Sequence, residues 1–241
     1  MRLIIIASGS KANAAVIEHN GAAVLIDCGV TLKALKSGLL SAGLSVSSLG
    51  AVLVTHSHSD HIKGLAALRR AVDIPFYSGV GVYDCQRFDG TLPVGDFSVT
   101  AFECSHDVPC VGYKITAGGK TVCIATDTGT VTPAMRDAFY GCENVMIESN
   151  HDIDMLKSGF YPAQLKARIL SPCGHLSNTD CAKFVTELAG GGLKRAVLAH
   201  LSENNNTPLL ARAATEQRLA QCLPGARIEV YPASAGLTLD L

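Results

Sequence analysis

The sequence contains no tryptophan, and phenylalanine and tyrosine together make up only 5% of its 241 residues. A stacking platform for single-stranded nucleic acid is therefore not evident, because such platforms are built from successive aromatic side chains. Charge is also sparse: Asp, Glu, Lys and Arg account for 17%, against about 25% in an average soluble protein. The 20 basic residues nearly cancel the 21 acidic ones. That balance argues against a strongly basic nucleic-acid binder and against a disordered acidic tail. A local basic groove stays open, because steering depends on where charges sit. No apolar run approaches the ~18 residues a membrane span needs. The stretch Leu3 to Ala7 behind Arg2 is shorter than the apolar core of a signal peptide. The expectation is a soluble, cytoplasmic protein with no membrane partner. Nine cysteines are scattered from Cys28 to Cys222 without a Cys-x-x-Cys pair. They read as small buried apolar side chains rather than a disulfide framework.

What the chain does have is a 48% apolar content, enough to bury a full core, and a regular succession of short elements. Strands are expected at Leu3 to Ala7, Ala14 to Glu18 and Ala22 to Asp27, the last two joined at Asn20-Gly21, a favoured type I′ hairpin pair. The spacing of Leu32, Leu35, Leu39 and Leu40 predicts a helix over Thr31 to Gly43. A strand at Ala51 to Thr55, a helix at Ile62 to Ala71 and a strand at Ile74 to Ser78 follow. The middle is strand-rich, at Phe97 to Glu103, Val111 to Thr116 and Thr121 to Thr126. Helices are then expected at Pro133 to Tyr140, Tyr161 to Leu170, Thr179 to Leu188 and Pro208 to Gln221. Strands alternate with them at Val145 to Glu148, Arg195 to Ala199 and Arg227 to Tyr231. This order suits two mixed sheets packed face to face with helices outside, but does not decide it.

His56-Ser57-His58-Ser59-Asp60-His61 places four potential metal ligands in six residues, directly after a predicted strand. Composition alone would produce such a window with a probability of about 0.0005. Alternate residues of an extended chain share a face, so His56 and His58 point the same way. Nitrogen and carboxylate donors without thiolate suit Zn²⁺, Mn²⁺ or Fe²⁺. A mononuclear structural site or a hydrogen-bonded surface cluster would also account for three histidines. The rest of the chain weighs against those readings. His106, Asp127 and His200 each end a predicted strand, and His175 stands in Gly174-His175-Leu176-Ser177-Asn178. Taken together they repeat one placement, a ligand-type residue where an apolar strand exits.

With this motif set, which also includes Leu25-Ile26-Asp27-Cys28-Gly29, the chain resembles the metallo-β-lactamase fold superfamily over nearly its whole length. The resemblance implies one α/β hydrolase domain over residues 1–241, a four-layer αββα sandwich of two mixed sheets with helices outside. It implies two divalent ions, zinc or manganese. His56, His58 and His106 would hold the first; Asp60, His61 and His200 the second; Asp127 would bridge both. Asp60 would count among the catalytic residues as well as the ligands. Asp27 would orient the ligands through hydrogen bonds, or simply end its strand.

Two features are similar to the tRNA-processing and cyclic-phosphodiesterase branch: Gly174-His175-Leu176-Ser177 and His200-Leu201-Ser202. A closer resemblance is to the YycJ/WalJ-type group of small bacterial proteins. It is carried by Ala7-Ser8-Gly9-Ser10, Ser59-Asp60-His61-Ile62-Lys63-Gly64-Leu65, Ile147-Glu148-Ser149-Asn150-His151-Asp152, Gly174 to Asn178 and His200-Leu201-Ser202-Glu203-Asn204-Asn205. Lys11-Ala12 departs from the small, glycine-rich residues expected after Gly9-Ser10, which puts substrate fit in question. The resemblance implies a 5′ exonuclease on DNA, with a metal-bridging hydroxide as nucleophile and His175 protonating the leaving oxygen.

Asn150, His151, Ser177 and Asn178 are the substrate-contact candidates, although Asn150 would equally cap a helix beginning near His151. Lys63, Arg69 and Arg70, then Lys157, Lys166 and Arg168, then Lys194 and Arg195 are either phosphate contacts or solvated faces. The alternative is a hydrolase of a small cyclic phosphodiester, ester or thioester, favoured by the lack of an appended recognition domain. A metal-stabilised binding module is the non-enzymatic alternative, opposed by the full ligand set. A homo-oligomer is left open.

Overall fold

The computed structural model describes residues 1–82 and 84–241. The chain opens with three strands, β1 (Arg2–Ala7), β2 (Ala14–His19) and β3 (Ala22–Ile26). Asn20 and Gly21 turn between β2 and β3 with φ of 52° and 85°, the double positive φ of a type I′ hairpin. Helix α1 (Leu32–Ser41) begins at a Thr31 side chain that accepts from the Ala34 N–H, and buries Leu35 and Leu39. A 3₁₀ turn at Val46–Ser48 leads into β4 (Leu49–Leu53), which lies parallel to β3.

A single helix over Ile62 to Ala71 is not what forms. The segment is two short helices, α2 (Ser59–Ile62) and α3 (Leu65–Arg69). Gly64 explains the break: its N–H donates to the Cys28 carbonyl at 2.8 Å, and a Cβ there would lie 2.0 Å from the Val30 carbonyl oxygen. The backbone is pressed against the segment that follows β3, which a continuous helix would not allow.

Next come β5 (Phe76–Ser78), β6 (Gln86–Arg87), β7 (Thr91–Val94), β8 (Phe97–Cys104), β9 (Cys110–Ala117) and β10 (Lys120–Ala125). The remainder alternates: α4 (Pro133–Phe139), β11 (Asn144–Glu148), α5 (Ile153–Ser158), α6 (Ala163–Ile169), α7 (Asn178–Ala189), β12 (Arg195–Ala199), α8 (Pro208–Cys222), β13 (Glu229–Pro232) and β14 (Thr238–Asp240). Ser177 caps α7 by accepting from the Asp180 N–H, and Thr207 caps α8 ahead of Pro208.

The strands form two mixed seven-stranded sheets, in the orders β14-β1-β2-β3-β4-β5-β6 and β13-β12-β11-β10-β9-β8-β7. Contacts divide the chain into two compact units, one of Met1–Ala101, Tyr113–Thr121 and Ser234–Leu241, the other of Phe102–Gly112 and Val122–Ala233. Each has its own apolar core. In the first, Leu35 and Leu39 of α1 join Ile4, Val16, Leu25 and Val52. In the second, Phe139 and Phe184 join Ile147, Leu198 and Val230. The nine cysteines are free thiols, but not all are buried as the sequence suggests: Cys173 and Cys222 are exposed and Cys85 and Cys104 half-buried. Burial raises the thiols of Cys28 and Cys181 to about 12, as expected of inert core side chains. Among the described residues no helix is long and apolar enough to cross a membrane.

Three elements have weak sequence signals. β6 is two exposed residues and β14 is three, mostly exposed. β7 carries Pro93 at an end of its sheet's strand order, the position where a proline lacking its N–H is tolerated.

Candidate metal centre and proton relay

In the first unit, β3 and β4 are parallel neighbours, so their C-terminal ends release Asp27 and the Thr55-His56 pair side by side. Asp27 is buried with φ of 57°, in the left-handed region that strained functional residues often occupy. Its carboxylate accepts from the Thr55 N–H and hydroxyl, both at 2.8 Å, and from His61 Nδ1 at 2.7 Å. A carboxylate only accepts, so Nδ1 of His61 carries the proton and Nε2 presents its lone pair. His61 is fully buried. The His56 ring lies 4.1 Å from that of His61 and 4.8 Å from that of His58, centroid to centroid.

Asn13, which no sequence pattern marks, reaches the same atoms. Its Nδ2 lies 3.0 Å from His61 Nε2 and 3.2 Å from Asp60 Oδ2, and its Oδ1 accepts from the Gly9 N–H. Gly29 permits the close approach: a Cβ there would lie 1.6 Å from the Asp60 carbonyl oxygen. Nothing in the sequence beyond the small-residue loop around Gly9 marks Asn13.

In the second unit, β10, β11 and β12 are adjacent parallel strands. Their exits bring Asp127, Glu148 and His200 together, as the carboxyl ends of parallel strands generally do for ligand sites. Asp127 and His200 both have φ of 54°. One ligand atom from each of Asp127, Glu148, His175 and His200 lies within 4.8 Å of the others. Glu148 is the organising group. Its Oε1 accepts from Nδ1 of His175 and of His200, each at 2.8 Å. Its Oε2 accepts from the Thr128 N–H at 2.7 Å and the Leu176 N–H at 3.2 Å.

Burial opposes the negative charge on Glu148, but His175 and His200 outweigh it and hold its pKa well below the usual carboxylate range. The two Nδ1 protons are thereby fixed, leaving Nε2 of each ring to face a ligand. Burial also opposes protonation of His175, and Glu148 again wins, raising the pKa of that imidazole. His106 differs: burial lowers its pKa despite Asp127, and its Nδ1 lies 3.2 Å from the Gly174 carbonyl. Glycines allow this convergence. A Cβ on Gly129 would lie 2.3 Å from the Pro172 carbonyl oxygen, and one on Gly174 would lie 2.2 Å from that of Arg168.

No motif in the sequence gives Glu148 a role of its own. The available signal was its place at the end of the apolar run Val145-Met146-Ile147, the same strand-exit placement as the other site residues.

The substrate-contact candidates are held within the second unit. Asn150 does not cap α5; Asp152 does, accepting from the Asp154 and Met155 N–H groups. Asn150 Nδ2 donates instead to the His200 carbonyl at 2.9 Å. Ser177 is the α7 cap, and Asn178 accepts from the Ser149 hydroxyl and exchanges hydrogen bonds with Asn206. His151 is 1% exposed, with neither ring nitrogen hydrogen-bonded, and burial lowers its pKa. Of the basic residues, Arg168 pairs with Asp107, Lys194 with Glu143 and Arg195 with Glu229.

The donor chemistry fits divalent ions: imidazoles whose free nitrogens are set by buried carboxylates, together with further carboxylates and no thiolate. The family model for the beta-lactamase superfamily domain matches residues 22–201. The chain is 34% identical over 233 residues to exodeoxyribonuclease YycJ of Bacillus anthracis, covering 90% of this chain and 88% of that protein. It is 34% identical over 250 residues to exodeoxyribonuclease WalJ of Streptococcus pneumoniae, covering 95% and 93%. The crystal structure of the metallo-beta-lactamase fold protein YhfI from Bacillus subtilis superposes with a TM-score of 0.74 at 19% identity, covering 99% of this chain and 98% of that one. The two mixed seven-stranded sheets with helices are thus the metallo-β-lactamase α/β sandwich. The chain belongs to the metallo-β-lactamase superfamily and is a metal-dependent hydrolase.

Proposed function

We propose that the protein is a dinuclear phosphodiesterase that degrades DNA from the 5′ end. His56, His58 and His106 would hold one ion and Asp60, His61 and His200 the other, with Asp127 available to both. When bound, the two ions supply an activated water and neutralise charge on the phosphodiester. The chain's own groups do the rest. Asp27 holds His61 in the tautomer that presents Nε2, through the 2.7 Å hydrogen bond at Nδ1. Glu148 does the same for His200 at 2.8 Å.

The observation that carries the reading is the His175–Glu148 pair. Glu148 keeps the Nδ1 proton of His175 engaged and favours the imidazolium. The Nε2 proton of His175 then passes to the leaving oxygen, and the ring is left neutral against Glu148. A relay of this kind serves a poor alkoxide leaving group, which a phosphodiester has. DNA as substrate is supported by the two exodeoxyribonucleases, whose lengths the match covers by 88% and 93%.

The test offers the zinc- or manganese-loaded protein three substrates: 5′-labelled duplex DNA, bis(p-nitrophenyl) phosphate and a thioester. Salt-sensitive release of label from the DNA is the expected result, since phosphate contacts are screened by salt. Turnover of the thioester alone would refute the phosphodiesterase. His175→Ala should slow DNA cleavage by about 10²- to 10⁴-fold with metal content unchanged. Loss of metal in that variant would make His175 a ligand.

A further inference from the structure

Between the end of α5 and the loop that leaves His200 lies a cavity of about 460 Å³, with Met155, Phe160, Tyr161, Glu203, Asn204 and Asn205 in its lining. Phe160 is fully exposed, at 107% relative accessibility. Burying a phenylalanine is favourable, so a ring held in water beside a cavity forgoes that stabilisation. Its position is imposed by its neighbours. Gly159 ends α5, its N–H donating to the Met155 carbonyl at 2.8 Å. A Cβ on Gly159 would lie 2.9 Å from Asn205 Oδ1, so only glycine passes there easily. Pro162 caps α6 and restricts Tyr161 to extended backbone. The Tyr161 hydroxyl accepts from Asn204 Nδ2 at 2.9 Å. Two aromatic residues are therefore presented on a short, braced link.

The second observation is Asn205. It is 2% exposed, and its Nδ2 has no hydrogen-bond partner. Its backbone is anchored: its carbonyl accepts from the Asp152 N–H at 2.8 Å and its N–H donates to Ser202 Oγ at 3.2 Å. A buried amide donor left unmatched keeps its full desolvation penalty. A purely apolar occupant would leave that cost in place. Flat π-faces beside a carboxamide suit a planar ring that carries carbonyl or ring-nitrogen acceptors. Cations stand nearby: Lys157 lies in the last turn of α5, and Lys166 Nζ donates to its carbonyl at 2.7 Å. Neither lysine is paired with a carboxylate among the described residues.

We infer that this cavity seats a nucleobase of the DNA strand, with Phe160 stacking on its face, Asn205 matching its polar edge, and Lys157 and Lys166 meeting the adjoining phosphates. The inference rests on the nuclease reading. The loop from His200 to Asn205 joins the end of β12 to this cavity, so a base seated here would belong to the same bound strand.

Because the chain has no tryptophan, Phe160→Trp introduces a single indole reporter. Its emission should be quenched by a phosphorothioate decathymidylate, which resists cleavage, and not by an abasic phosphorothioate strand of the same length. Phe160→Ala should weaken decathymidylate binding, read by anisotropy, by about 5- to 100-fold, the range for one lost base–aromatic stack. Quenching by thymidine 5′-monophosphate as well would support the pocket and extend it to the released nucleotide. If the wild-type protein binds the decathymidylate while Phe160→Trp stays unquenched and Phe160→Ala keeps full affinity, the pocket is refuted and the nuclease stands. Phe160 would then be left as a protein-contact surface. If the wild-type protein neither binds nor degrades DNA, both readings fall.

Discussion

Glu148 shows how one buried side chain sets the behaviour of several others. Two imidazoles and two backbone N–H groups converge on its two oxygens. Glu148→Gln should lower the rate of phosphodiester hydrolysis by about 10- to 100-fold. A glutamine offers one acceptor where the carboxylate offers two, and its amide N–H faces a ring that already donates. An unchanged rate in steady-state kinetics would show that the rings are oriented by something else.

Glu18 makes a different residue-scale prediction. Burial raises its pKa, but the hydrogen bonds from Arg2 at 2.7 Å and from the Gly21 N–H at 2.7 Å outweigh burial, and the net direction is down. A carboxylate depressed on folding stabilises the protein above its unfolded pKa of about 4.3, and that stability is lost as pH falls through the folded value. Glu18→Gln should therefore lower the urea midpoint at pH 7 by an amount worth about 1 kcal/mol. The gap between variant and wild type should close below about pH 4. An equal gap at pH 7 and pH 3 would assign the effect to packing.

At the scale of elements, the lesson is where the chain leaves its strands. Asp27, Asp127 and His200 each follow a strand with φ between 54° and 57°, a conformation that costs a non-glycine residue about 1–3 kcal/mol. That backbone kink turns a strand into a loop while aiming the side chain. Gly129 and Gly174 complete the arrangement by letting the Asp127 and His175 loops touch. Gly129→Ala should displace the His175 loop, lowering turnover about 100-fold, the cost of a displacement near 1 Å, with far-ultraviolet circular dichroism unchanged. Retained turnover would mean that the loop yields without moving His175.

Much of this was legible in advance. The apolar runs ending in His or Asp gave the strands and the ligand-type residues together, and Asn20-Gly21 gave its hairpin. Other features were hidden for physical reasons. Gly64 breaks a helix because of a distant carbonyl that no local pattern reveals. Asn13 acts through a loop, and β7 and β14 are too short to show a period of two. Phe160 stands in an aromatic-poor sequence in which no stacking platform is evident, so nothing local marks it.

For the molecule as a whole, each of the two compact units holds its own hydrogen-bonded histidines at the ends of its own sheet. Asp27 and Thr55 anchor His61 in one; Glu148 anchors His175 and His200 in the other. Chelation should therefore abolish hydrolysis while shifting the thermal midpoint by only a few degrees, in contrast to small metal-dependent folds that unfold without their ion. Calorimetry before and after treatment with a chelator checks this. Collapse of the folded signal would mean that the ions, not the sheets, hold the ligands in place.

The saturated surroundings of Glu148 have one more consequence. With every lone-pair direction engaged by a neighbour, this carboxylate is a poor landing place for a stray cation. Swapping zinc for manganese should therefore alter turnover number far more than it alters which side chains are protonated.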